Sequence, residues 1–310
     1  MIAVPLIKKI AELFLILFAA AAMVKAGLLK SEDSRVLSRI TLYFITPCVL
    51  FNSFQEELTP EIRQGLLIAA GLALGIQLVY FLIAEILRRV WKATEVERAS
   101  IIFTNAGNLV IPLVAYARGQ NQVIYVSAYI LVFNLLFWTF GIRMFDSTGS
   151  FGIKKLLLNP NILAIAAGFL TLVLHIRLPE PVAIAFSDTA SMVGPVTMII
   201  TGLVVGGCRF RDLFANRRVI GVVFFRMIAC SGVAVLITAL LAKSGCVPAG
   251  KEFLIIPLLS AIAPASANIN QVAILYNKDP QYASCINILT TLSCIVTIPL
   301  WIMLYEAIAG

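Results

Sequence analysis

Charge is scarce in this chain: only 13% of its 310 residues are Asp, Glu, Lys or Arg, against 60% that are hydrophobic. A soluble domain of that length needs far more polar surface to cover it. The one histidine, His175, excludes an HExxH metal site and any multi-histidine centre. Six cysteines (Cys48, Cys208, Cys230, Cys246, Cys285 and Cys294) are scattered, mostly in apolar segments, with no CxxC pair. They read as small buried hydrophobes, and neither a disulfide framework nor a metal site is indicated. P-loops, Ser/His/Asp sets and paired intramembrane aspartates are missing too. An ATP motor, an intramembrane protease or any other enzyme therefore has no motif behind it, and no cofactor is expected.

What is there is hydrocarbon. Mean hydropathy is +0.97, and runs such as LFLILFAAAAMV (Leu13–Val24) mark a polytopic, all-α membrane protein. At ~20 apolar residues per crossing, ten spans are expected, near 6–28, 37–56, 64–89, 97–117, 123–145, 160–177, 182–207, 218–242, 252–276 and 282–307. Lys8 and Lys9 precede the first run, but its length and the following KAGLLK suit a retained span better than a cleaved leader. The net charge of +8 points to a bilayer and not to nucleic acid, because basic residues of membrane proteins collect in cytoplasmic loops. Sixteen Lys and Arg residues lie in loops after odd-numbered spans, from Lys25 to Lys278, and seven on the opposite side, from Lys8 to Lys251. Both termini are expected outside the cytoplasmic membrane.

The two halves look alike. TPCVLFNS (Thr46–Ser53) matches GPVTMIIT (Gly194–Thr201) with Pro47 opposite Pro195, and a second offset sets Asn105 opposite Pro264 and Asn134 opposite Ser293. Five spans per half is an odd number, so the second half inserts upside down relative to the first. The expected organisation is two inverted five-helix repeats, 1–146 and 159–310, joined by a cytoplasmic connector at 147–158. Inverted repeats are the usual basis of alternating access. Asn159-Pro160 reads as an N-cap followed by a first-turn proline.

Two apolar segments are broken by proline at matching places: NAGNLVIPL (Asn105–Leu113) and APASANINQV (Ala263–Val272). Pro112 cannot donate to the carbonyl of Asn108, nor Pro264 to that of Ser260. In hydrocarbon such breaks survive only where protein or a hydrated cavity lines them. Gly107 and Ser266 are small enough for two backbones to cross closely. Half-helix N-termini at such a crossing supply partial positive charge toward an anion. Asn105, Asn108, Asn268, Asn270 and Gln271 add neutral donors and acceptors. These residues, with Pro112 and Pro264, form the expected substrate site.

Other polar residues within spans carry two readings each. Arg226 lies near the middle of the eighth span, where a cation costs ~3 kcal/mol or more unless paired or hydrated. It reads as an anion attractor or partner of a carboxylate such as Glu85, or as an arginine snorkelling to the cytoplasmic face. Glu85, toward the end of the third span, reads first as a snorkelling side chain. Asn134 faces the crossing or makes a plain interhelical hydrogen bond. Gln77 and Asn52 read as packing contacts.

Five stretches together resemble the auxin efflux carrier family, which includes bacterial organic-acid permeases: ITPCVLFNSF, NAGNLVIPL, NPNILAIAAG, APASANINQVAILY and LTTLSCIVTIPLWIML. They run in the family's order through the whole chain. The resemblance implies a sodium/proton antiporter-like or bile-acid-transporter-like fold in which broken helices 4 and 9 cross. It further implies a scaffold of spans 1, 2, 6 and 7, a transport domain of spans 3–5 and 8–10, elevator movement and a homodimer. Small organic anions are the implied substrates. The positions carried over are Asn105, Gly107, Pro112, Asn134, Pro264 and Asn268. The long cytoplasmic loop of plant auxin carriers is missing here, as is an acidic ion-binding pair at the crossing. The expectation is a secondary carrier of a small carboxylate. Its competitors are a sodium- or proton-coupled transporter of another solute and a ligand sensor that moves nothing.

Overall fold

The computed structural model describes residues 3–55, 59–146, 157–208, 216–245, 247 and 250–309. The expected connector lies outside them apart from Leu157 and Leu158, as do Lys154, Lys155, Arg209, Arg211 and Cys246. Every regular element among the described residues is a helix, save one isolated antiparallel bridge. We number the helices α1 (Ala3–Lys25), α2 (Ser31–Asn52), α3 (Pro60–Val90), α4 (Glu95–Ile102), α5 (106–118) and α6 (Gln120–Phe145). The second half holds α7 (Pro160–Val173), α8 (Glu180–Gly207), α9 (Arg217–Lys243), α10 (Gly250–Ile262), α11 (Asn268–Leu275) and α12 (Pro280–Ala309).

Helix starts follow local chemistry. Thr59 caps α3 by accepting from the Ile62 amide, with Pro60 behind it in the first turn, where its missing N–H costs nothing. Thr94 and Glu97 form a reciprocal capping box at α4, with Thr94 N–H to Glu97 Oε2 at 2.7 Å and Glu97 N–H to Thr94 Oγ1 at 3.3 Å. As expected, Asn159 caps α7, accepting from the Asn161 amide at 2.9 Å.

Six of the helices (α2, α3, α6, α8, α9 and α12) are long and apolar enough to cross a membrane. Their outward faces carry bare Leu, Val and Phe: Leu67 is 70% exposed and Val90 80%. In water each such side chain forfeits roughly 1.5–3 kcal/mol of burial, whereas acyl chains receive it without loss. This is a multi-pass membrane protein.

Helices α1, α2, α7 and α8 pack on one another, and α3–α6 pack with α9–α12. The α1–α8 contact is the tightest. A Cβ at Gly202 would meet the Leu17 carbonyl oxygen at 2.2 Å, and one at Gly206 the Ala21 carbonyl oxygen at 2.7 Å. Only glycine permits that approach, as at small-residue interfaces between membrane helices generally. The second bundle meets the first where α1 and α8 lie against α5 and α12, and where α6 lies against α2 and α7, with the Ser53 and Ser127 hydroxyls 3.0 Å apart.

A buried ionic knot fastens one end of the second bundle. Glu97, fully buried, accepts from Arg218 Nε at 2.8 Å and Nη2 at 2.9 Å and from the Tyr282 hydroxyl at 2.6 Å. Arg218 also lies over the Trp91 ring. Helices α4, α9 and α12 are thereby tied together.

Candidate functional site: a crossing of two broken helices

Helix α4 stops at Ile102 and α10 at Ile262, and the chain runs extended for a few residues before α5 and α11 begin. The two extended pieces pair antiparallel. The Asn105 amide donates to the Pro264 carbonyl at 2.8 Å, and the Ser266 amide to the Phe103 carbonyl at 2.9 Å. Thr104 and Ala265 face each other between these two bonds. Four backbone groups that hydrocarbon would leave unpaired, at several kcal/mol each, satisfy one another.

Backbone hydrogen bonds, which leave no trace in side-chain identity, set this register.

Side chains hold the break in place. Phe103 sits edge-on to Phe81, Phe133 and Phe137, with ring centroids 5.1–5.7 Å apart, so the extended residue is wedged by aromatics. In the other half, Thr290 Oγ1 accepts from the Ala265 amide at 3.2 Å, and Asn287 Nδ2 donates to the Ala265 carbonyl at 2.8 Å. The carbonyl of Asn108, freed by Pro112, takes the Thr197 hydroxyl of α8 at 3.0 Å. Pro112 itself packs on Gly194, where a Cβ would lie 3.0 Å from the proline ring. Asn287, Thr290 and Thr197 were not among the expected site residues. Their only signal was a hydroxyl or amide inside an apolar span, in LTTLSC, ASCINI and GPVTMIIT.

The structure gathers Asn105, Gly107, Asn108, Pro112, Pro264, Ser266, Asn268 and Asn270 around the crossing. Asn105, Gly107, Asn108, Asn268 and Asn270 are half-buried. Asn270 Oδ1 is buried without a partner, and the Ser266 hydroxyl accepts from the Asn268 amide at 3.3 Å. Gln271 and Asn134 differ from these in exposure and partners. Gln271 is on the exposed side of α11. Asn134, buried in α6, donates to the carbonyl of Ile130 in its own helix at 3.0 Å, an intrahelical bond that neither expectation named.

The pairing of Arg226 with Glu85 does not occur. Glu85 binds Arg88 at 2.5 and 2.7 Å, Arg89 at 3.1 Å and Arg98 at 3.6 Å at the end of α3. Arg226 is fully buried, so it does not snorkel either. A π-helical turn at Phe225–Cys230 widens α9 and aims its guanidinium at the ends of both broken helices. Nη1 donates to the Ile101 carbonyl at 3.2 Å, Nε to Ala263 at 3.1 Å, and Nη2 to Ala263 at 2.6 Å and to Ala261. The Tyr80 ring stacks 5.0 Å away, and its hydroxyl shares the Ala261 carbonyl at 3.2 Å. The crossing thus has two electrostatic sides: carbonyl ends closed by an arginine, and N-terminal ends lined by amides.

Such a crossing, in an all-helical multi-pass chain, belongs to the class of membrane transporters. The sequence matches the family model described as membrane transport protein in two stretches, residues 5–152 and 147–302. Together they cover nearly the whole chain, which belongs to this family, the auxin efflux carriers. No curated protein matches it significantly.

Proposed function

We propose that this protein is a secondary carrier for a small organic anion, working by alternating access. The observation that carries the reading is the charge layout of the crossing. Each helix end carries about half an elementary charge, so the N-termini of α5 and α11 together present about one positive charge. No carboxylate among the crossing residues balances it. The side-chain carboxamides of the half-buried Asn105, Asn108, Asn268 and Asn270 have no hydrogen-bond partner among the described residues, which leaves them free to orient a carboxylate.

Counting α4–α5 and α10–α11 as one crossing each, the chain spans the cytoplasmic membrane ten times in two inverted repeats, with both termini outside. Helices α1, α2, α7 and α8 form the scaffold and the dimer surface. The second bundle is the moving part, and it slides as an elevator. The packing of the helices into two groups that meet along α5, α6 and α12 supports this division. Uptake of radiolabelled dicarboxylates and aromatic acids into vesicles containing purified protein tests the reading. Asn105→Ala and Asn268→Ala are each expected to lower uptake at least about tenfold, the cost of losing one hydrogen bond to a charged group. Unchanged uptake in both removes the crossing from this role.

A further inference from the structure

The arginine side of the crossing supports a statement about ions. Three backbone carbonyls, from Ile101, Ala261 and Ala263, converge on one point from the ends of α4 and α10, and that point is filled by the guanidinium of Arg226. Those two C-terminal ends carry about one negative elementary charge between them. A single guanidinium balances it. Oxygens converging in this way, with the Tyr80 hydroxyl beside them, are the ligands that hard metal cations take. Further polar atoms lie nearby: Tyr129 neighbours Arg226, Gln77 and Thr104. The side chains of Tyr129, Gln77 and Thr104 are buried beside one another.

We propose that Arg226 is a built-in counter-cation, occupying the place at the crossing where a coupling cation would otherwise be held. Resting on the anion-carrier reading, this makes transport independent of sodium at that place. The crossing reaches neutrality when an anion binds at its amide side, with no ion entering at its carbonyl side. It also separates the two roles of charge: Arg226 holds the half-helix ends together and does not touch the substrate. The positive charge has no carboxylate partner among the described residues, so its removal should leave a vacancy selective for a small cation.

The test is the melting temperature of purified protein, wild type and Arg226→Ala, in choline chloride, sodium chloride and choline chloride with millimolar guanidinium. Wild type is expected to melt at the same temperature in all three. Arg226→Ala is expected to melt several degrees lower in choline and to regain most of the loss with guanidinium and part of it with sodium. Stabilisation of the wild type by sodium, or an alanine variant indifferent to both cations, overturns the proposal. If Arg226→Ala does not yield folded protein even when purified with guanidinium, Arg226→Lys and Arg226→Met decide. Lysine can place an ammonium among the carbonyls and methionine cannot, so recovery of the lysine variant alone is expected and equal recovery of both refutes it. Melting needs no substrate, so this result is separable from the carrier reading. A wild type that moves no anion overturns that reading alone, while sodium-dependent anion flux overturns the Arg226 proposal alone.

Discussion

Replacing Glu97 by glutamine isolates the energetics of the knot that ties α4, α9 and α12. The substitution preserves shape but removes the charge and turns one acceptor oxygen into a donor. That new N–H would face either Arg218 and the Tyr282 hydroxyl, or Arg218 and the Thr94 amide, all of which donate to Glu97 now. Breaking a fully buried pair from one side costs ~3–5 kcal/mol, while an exposed pair is worth about 1 kcal/mol or less. The Glu97 side chain is fully buried, but that of Arg218 is 41% exposed, so water can recover part of the loss. We therefore expect roughly 2–3 kcal/mol, which in a chain of this size lowers the melting temperature by about 3–5 °C. Differential scanning fluorimetry in detergent measures it. Arg218→Leu should cost a similar amount, and the double variant less than the sum, because each single change leaves the other partner stranded. A fall below about 1 °C, or strict additivity, would refute the account of the knot.

Other expectations follow from single contacts. Gly202→Val drives a side chain into the Leu17 carbonyl and should separate α1 from α8 at a cost of about 1–3 kcal/mol or more, seen as a lower melting temperature; an unchanged one would refute the close packing. Thr197→Val removes the hydroxyl from the Asn108 carbonyl, leaving a freed acceptor at about 1–3 kcal/mol. Because this contact spans the two bundles, transport rate should change more than substrate affinity. Asn134→Ala should lower uptake far less than Asn105→Ala, since its amide is spent within α6; equal losses would return Asn134 to the substrate site.

How much of this was legible depends on which atoms carry the signal. The break at Pro264 was readable because proline removes a donor from a helix wherever it stands; in the first half the helix breaks at Phe103–Asn105 instead, and Pro112, expected to break it, lies inside α5. The cap at Asn159 and the positions of the apolar helices were readable for similarly local reasons. What Arg226 binds was not, because its partners are backbone carbonyls, identical in every residue type. The register of the crossing was not legible for the same reason: amide-to-carbonyl pairing, not side-chain similarity, sets Thr104 against Ala265. Thr197 and Asn287 look like ordinary helix-packing residues until the freed carbonyls they serve are located. Gln271 shares its segment with Asn268 and Asn270, and its greater exposure has no local sequence signal.

The most direct test of the central claim is whether the crossing recognises negative charge. Purified protein is heated with small carboxylates and, in parallel, with their uncharged amides at equal concentration. The account predicts that at least one carboxylate raises the melting temperature, that its amide does not, and that Asn105→Ala and Asn268→Ala each abolish the shift. Equal stabilisation by the uncharged amide, or a carboxylate shift that survives in both variants, would contradict it.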